Sequence, residues 1–121
     1  FQKEVAERFA AKPGNKTYGV TSVLTQLYYD VSIAFHISPD KFDPPPKVMS
    51  SIIVLKRKTN IPTADFKKLK TVVKGAFSQR RKKMRNALSG IFSPEILEEP
   101  IFQKRAEELS LEDFLILSER L

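Results

Sequence analysis

Three consecutive prolines, Pro44 to Pro46, constrain this chain more than any other feature; they stand in FDPPPKVMSSIIVLKRK, residues 42–58. Each proline fixes φ near the polyproline value and removes a backbone donor, and each residue followed by proline is pushed away from helix. The run therefore predicts a stiff, extended connector that sets the position of Phe42 and leads into a strand. That strand, SSIIVLKRK, is continuously apolar from Ile52 to Leu55, the pattern of a strand covered on both faces. Rigidity at a loop tip often serves accurate placement of a binding group. A stiff inter-strand connection with no ligand explains the local pattern equally well.

Upstream, DVSIAFHI alternates, with Val31, Ile33, Phe35 and Ile37 on one side and Asp30, Ser32, Ala34 and His36 on the other. It reads as a half-buried strand, antiparallel to the one after the prolines. Two strands alone are marginal, so the rest of the sheet is expected outside this chain or from a neighbour. Before them, FQKEVAERFAAK predicts a helix with Phe1, Val5 and Phe9 on one face and Glu4 and Arg8 as an i,i+4 pair, ended by PGNK. A shorter helix is predicted from Thr21 to Tyr28. The chain opens at Phe1, inside an apparent helix and without methionine, which leads us to expect a piece of a longer protein.

From Thr59 onward only helices are predicted. TNIPT reads as a linker, and Thr63 as the cap of a helix that turns Phe66, Leu69, Val72, Val73, Ala76 and Phe77 inward. Ser78 is placed to cap a second helix, QRRKKMRNALSG, that stops at Gly90. Ser93 precedes a proline at the first helical position. Ser110 and Asp113 form a capping box for a last helix with Leu111, Phe114, Leu115, Leu117 and Leu121 inward.

The net charge of +7 is unevenly spread. Residues 1–58 carry nine cations against five acids, 59–90 nine against one, and 91–121 three against eight. A basic middle beside an acidic end indicates a polyanion-binding surface, because intramolecular pairing cannot absorb a surplus of this size. Arg80 to Arg85 hold five cations in six positions with no acid between them, more than solubility needs. On a helix with Phe77, Met84, Leu88 and Ile91 inward, Lys82 falls on the solvent side and Lys83 and Arg85 on the flanks. Arg80 and Arg81 border the buried stripe.

Chemistry of other kinds is scarce. The four glycines (Gly14, Gly19, Gly75, Gly90) are scattered and form no phosphate loop. The chain has no cysteine and one histidine, His36, read as structural or solvent-facing, so no metal site is expected. Ser50 and Ser51 lack a base partner in the sequence, which argues against nucleophilic catalysis. No apolar run approaches the roughly 20 residues needed to span a bilayer, and no membrane partner is expected.

Four segments, FQKEVAERFAAKPGNKTYG, FDPPPKVMSSIIVL, FSQRRKKMRNAL and RAEELSLEDF, occur in an order and spacing that resembles the C-terminal half of the KsgA-type dimethyladenosine transferases of small-subunit ribosomal RNA. The resemblance covers nearly the whole chain. It implies an α+β fold: residues 1–58 as the last part of a Rossmann-like methyltransferase domain, helices plus an antiparallel strand pair, and 59–121 as a small all-helical domain that docks on the RNA. It implies methylation of N6 on two adjacent adenosines near the RNA 3′ end, with S-adenosylmethionine as donor, in the cytoplasm. The family's cofactor loop and catalytic motif have no counterpart in these residues, so no catalytic residue is assigned and the chain by itself is expected to be inactive.

By the same resemblance, Phe42 stacks on a flipped adenine and Pro44, Pro45 and Pro46 fix its ring, which suits extrusion of a base from its stack. Arg8, Lys47, Arg80, Arg81 and Lys82 match RNA-binding positions, and Lys83 and Arg85 extend the same run. Met49, where an acid or amide is usual, and Val20-Thr21, in place of Arg-Leu, depart from the pattern. The alternatives are a free-standing RNA-binding module and a macrolide-resistance-type methyltransferase of large-subunit RNA. An uncovered sheet would also lead the chain to self-associate.

Overall fold

A computed structural model describes residues 1–59, 61 and 64–121. Helix α1 spans Lys3–Ala10. Glu4 in its first turn and Arg8 in its last suit the helix dipole, and the two side chains pair at 2.8 Å. Gly14 turns the chain back at φ +89°, a conformation that favours glycine. Helix α2, Val20–Gln26, then completes α1. The C-terminal carbonyls of a helix lack intrahelical donors. Here the Ser22 hydroxyl donates to the Arg8 carbonyl, and the Gln26 amide donates to Phe9 at 2.8 Å and Ala11 at 2.7 Å. That is why the polar Ser22 and Gln26 are buried.

Strands β1, Tyr29–Ile37, and β2, Ser50–Arg57, pair antiparallel. The register runs from Tyr29 opposite Arg57 to Ile33 opposite Ile53, then slips so that Phe35 faces Ile52. Ala34 is the extra residue of a bulge, and the period-2 pattern changes phase there. The alternation read from the sequence therefore holds only as far as Ile33. Phe35 and Ile37 share a face with Ile52 and Val54, not with Val31 and Ile33. His36 lies across from Ser51.

Helices α1 and α2 pack on the Ile33 face, although Leu55 on that face is still 46% exposed. The other face is open: Phe35, Ile52 and Val54 are 57%, 42% and 50% exposed. The expected burial of β2 on both faces is thus not met within this chain. The outer edge of β2 is partly occupied by the first residues, with Ser51 N–H donating to the Phe1 carbonyl at 2.7 Å and Lys3 N–H to the Met49 carbonyl at 2.8 Å. Phe1 is accordingly extended rather than helical, although its ring meets Phe9 at 5.4 Å.

Helix α3, Phe66–Ser78, buries Leu69, Val72, Val73 and Ala76 and packs Phe77 against them, whereas Phe66, expected inward, is 44% exposed at the helix start. Its cap is Asp65, whose carboxylate accepts from Lys67 and Lys68 N–H. The proposed cap Thr63, like Asn60 and Pro62 of the expected linker, lies outside the described residues.

The second helix expected here does not begin at Gln79. Ser78 closes α3, donating to the Gly75 carbonyl at 2.6 Å, and Gln79 leaves the helix at φ −130°, ψ 67°. Residues 79–83 form a turn, and α4 is only Met84–Ala87. Adjacent like charges at helical spacing repel. In the turn that replaces the helix, Met84 N–H donates to the Lys104 carbonyl at 2.9 Å. Helix α5, Pro94–Leu97, opens on the expected proline, though Ser93 makes no side-chain cap bond. Helix α6, Leu111–Glu119, has the expected reciprocal box between Ser110 and Asp113, while Leu121, expected inward, lies beyond the helix and is exposed.

One buried cluster unites these helices with α2. It contains Tyr18, Val23 and Leu27 together with Leu69, Met84, Phe102, Phe114 and Leu117. Tyr18 ties the two together, its hydroxyl donating to the Leu109 carbonyl at 2.9 Å and its ring meeting Phe77 edge-on at 5.9 Å.

Candidate nucleic-acid interface

The proline connector lies fully on the surface. A 3-10 turn, Pro39–Lys41, places Phe42, which is 41% exposed and belongs to no aromatic pair among the described residues. Pro44 to Pro46 and Lys47 are exposed, and the Asp43–Pro44 peptide is cis. The Lys3–Met49 bond anchors the loop at its far end. An aromatic ring that is neither buried nor stacked internally is available to stack on something else.

The sequence-predicted cations divide into two groups. Arg81, Lys82, Lys83 and Arg85 are exposed around the turn between α3 and α4, and among the described residues none has a carboxylate within ion-pair distance. The fold brings Arg80 instead to Arg8, into a cleft of about 450 Å³ whose lining also includes Glu4, Lys16 and Thr21. The Arg80 guanidinium lies 5.6 Å above the Phe77 ring. It donates to the Asn15 carbonyl at 3.3 Å and stands 3.8 Å from the Glu107 carboxylate. The side chain passes over Gly19, where an added Cβ would sit 3.6 Å from Nη1. Phe42 and Lys47 do not line this cleft.

Sequence reasoning missed Lys16, which stands 64 positions before Arg80 and reads locally as helix-ending punctuation. It also missed a partner for Ser51: the His36 ring Nδ1 lies 2.5 Å from its hydroxyl. The bulge at Ala34 brings them together, since an unbroken alternation puts His36 on the opposite face. Ser51 is fully buried. A nucleophile needs access to substrate, so the contact is a cross-strand latch, in keeping with a structural His36. Among the described residues no group of three His, Cys, Asp or Glu side chains is arranged to hold a metal.

An antiparallel strand pair backed by helices and joined to a helical body is a fold found in rRNA methyltransferases. The dimethyladenosine transferase of Plasmodium falciparum superposes with a TM-score of 0.85 at 25% identity, covering 97% of this chain and 53% of that one. The 23S rRNA methyltransferase ErmE matches in fold alone, with a TM-score of 0.68 at 20% identity over 99% of this chain and 52% of its own. Over residues 1–121 the sequence matches the family described as Ribosomal RNA adenine dimethylase, and the chain belongs to that family. It is similar to Ribosomal RNA small subunit methyltransferase A of Cytophaga hutchinsonii, 53% identical over the whole chain and 48% of the relative. The protein of the same name from Flavobacterium johnsoniae is 47% identical over the whole chain and 47% of that relative. The chain therefore spans about half the length of the curated relatives it matches. The α+β class expected from the sequence stands.

The family implies S-adenosylmethionine, but these residues do not fit it. A cofactor cradle needs glycines where the backbone approaches the ligand. Gly75 instead packs against Leu88 and Ile91, Gly14 and Gly90 face open space, and Gly19 lies under Arg80. The cleft between Arg8 and Arg80 is lined by cations suited to a polyanion.

Proposed function

We propose that this chain is the RNA-docking and base-stacking part of a small-subunit rRNA adenine N6,N6-dimethyltransferase, acting in ribosome biogenesis in the cytoplasm. The observation that carries the reading is the cleft that joins Arg8 to Arg80, positions 72 residues apart, in a chain whose relatives modify ribosomal RNA. In this reading residues 59–121 form the docking domain, with Arg81, Lys82, Lys83 and Arg85 contacting backbone phosphates. Residues 1–58 complete a methyltransferase domain. Phe42, held by Pro44 to Pro46 with Lys47 beside them, stacks on the extruded adenine. Methyl transfer from S-adenosylmethionine belongs to the longer protein, and this chain by itself is inactive.

The test is binding of small-subunit rRNA across a salt series. Phosphate neutralisation makes log K fall with log salt, and removing one phosphate-binding cation flattens the slope by roughly 0.7 to 0.9. Replacing Arg81 and Lys82 with alanine should flatten it accordingly and weaken binding alike across RNA sequences, because phosphate contacts position without specifying. An unchanged slope would leave the turn as a solubilising face and overturn the reading. Phe42→Ala, tested in the longer protein, should remove roughly 1–3 kcal/mol of stacking with the slope unaltered.

A further inference from the structure

We propose that the cleft between α1, the turn at residues 15–22 and Arg80 seats one RNA backbone phosphate by exchange of ion pairs. Lys16 is the new cation, and Glu4 and Glu107 face the two arginines as weak ion-pair partners until the phosphate displaces them. This deepens the RNA-docking reading and rests on it.

Donors in the cleft are few and identifiable. The Gly19 N–H is taken by the Ser22 hydroxyl oxygen, and the Thr17 hydroxyl already donates to the Asn15 side chain. Among the side chains, that leaves Arg8, Lys16, Arg80 and the exposed hydroxyl of Thr21, beside the first backbone N–H groups of α2. Lys16 is exposed, and among the described residues no carboxylate lies within 4.0 Å of its ammonium. Three cations thus line the cleft against one acid, Glu4.

The two arginines are engaged, and both engagements are weak ones. Arg8 and Glu4 meet at 2.8 Å, but their side chains are 56% and 72% exposed, so water and salt screen the pair. Arg80 and Glu107 stand 3.8 Å apart, beyond hydrogen-bond distance. What fixes Arg80 is the Phe77 ring beneath it and the Asn15 carbonyl, and neither depends on Glu107. A planar guanidinium held in advance matches phosphate oxygens with little ordering still to do. Each arginine therefore trades a carboxylate for the phosphate, whereas Lys16 gains a partner. The signs of the mutational effects follow: removing the cation weakens binding and removing a carboxylate strengthens it.

The experiment uses this chain and a 3′ fragment of small-subunit rRNA over a salt series, with circular dichroism to confirm folding. Lys16→Ala should weaken binding about five-fold at low salt and flatten the slope by about 0.7 to 0.9. Glu107→Gln should bind about two-fold more tightly, and Glu4→Gln, a change on the exposed face of α1, should do the same. If the acid partners only brace the fold, both glutamine variants bind equally or more weakly, which overturns the exchange. An unchanged slope for Lys16→Ala, with a flattened one for the Arg81 and Lys82 double variant, overturns the cleft but keeps RNA docking. No binding by the unaltered chain removes the RNA-docking reading itself, and the cleft proposal with it.

Discussion

The strand pair is at least as rich in apolar residues as the helical body, yet only the helical body hides them. Phe102, Phe114 and Leu69 are at most 1% exposed, whereas Phe35, Ile52 and Val54 are each more than 40% exposed. A helix or sheet buries an apolar surface only against a second layer. Around α3 the layers are all present: α2, α4, α6 and the 3-10 turn at 106–108 pack on it, and the 3-10 turn at 100–103 packs on α4. The sheet has α1 and α2 on one face and, among the described residues, no layer on the other. Burial here is decided by the available neighbours, not by the hydrophobicity of the residue.

Matched truncations put the contrast between the two regions under most strain. Phe114→Ala removes a fully buried ring that meets Phe77 at 5.8 Å. It should destabilise the chain by roughly 3–5 kcal/mol. Val54→Ala, on the open face, should change stability by no more than about 0.5 kcal/mol. Urea denaturation midpoints at unchanged slope provide the measurement. Comparable losses at the two sites would mean that the open face is covered in solution.

Tyr18 tests whether α2 belongs energetically to the helical body. Tyr18→Phe deletes the bond to the Leu109 carbonyl and leaves that acceptor buried, a loss of about 1–2 kcal/mol. Burial, reinforced by Asp113 and Glu112, pushes the phenol well above the ordinary tyrosine range. The folded state therefore holds this proton more tightly than the unfolded chain does. The contribution is complete below the unfolded pKa of about 10 and is lost as pH rises above it. Unaltered protein should lose stability above pH 10 more steeply than Tyr18→Phe, in denaturation midpoints taken from pH 8 to 11. Parallel profiles would release α2 from the body.

Local sequence carried most of the elements. The Ser110–Asp113 box, the inward stripe of α3 and the strand after the prolines could each be read from a few adjacent residues. Three things could not. The bulge at Ala34 depends on how β1 meets β2, and a one-residue slip reverses the face of every later side chain. The late start of α4 goes with a long-range bond, Met84 N–H to the carbonyl of Lys104, twenty residues away in sequence. The partnership of Lys16, Arg8 and Arg80 exists only after Tyr18 has docked its turn on the helical body. The basic run was visible as charge; its division between an open turn and a cleft needed the fold.

The smallest effect on stability should come from Phe35→Lys with Val54→Lys, and it bears most directly on the open face. Phe35 pairs with Ile52, and Val54 with Ser32, on that face. Both side chains are about half exposed, so the two changes together should shift stability by no more than about 0.5 kcal/mol. Association should respond far more. An uncovered apolar face with an open strand edge favours pairing with a second copy, and lysines on it oppose that pairing. Light scattering should find unaltered protein growing in mass with concentration and the double variant remaining monomeric. A clean monomer for the unaltered chain at high concentration would show that two strands with one open face are tolerated in water. The contrast between the two regions would then be one of exposure alone, without a consequence for assembly.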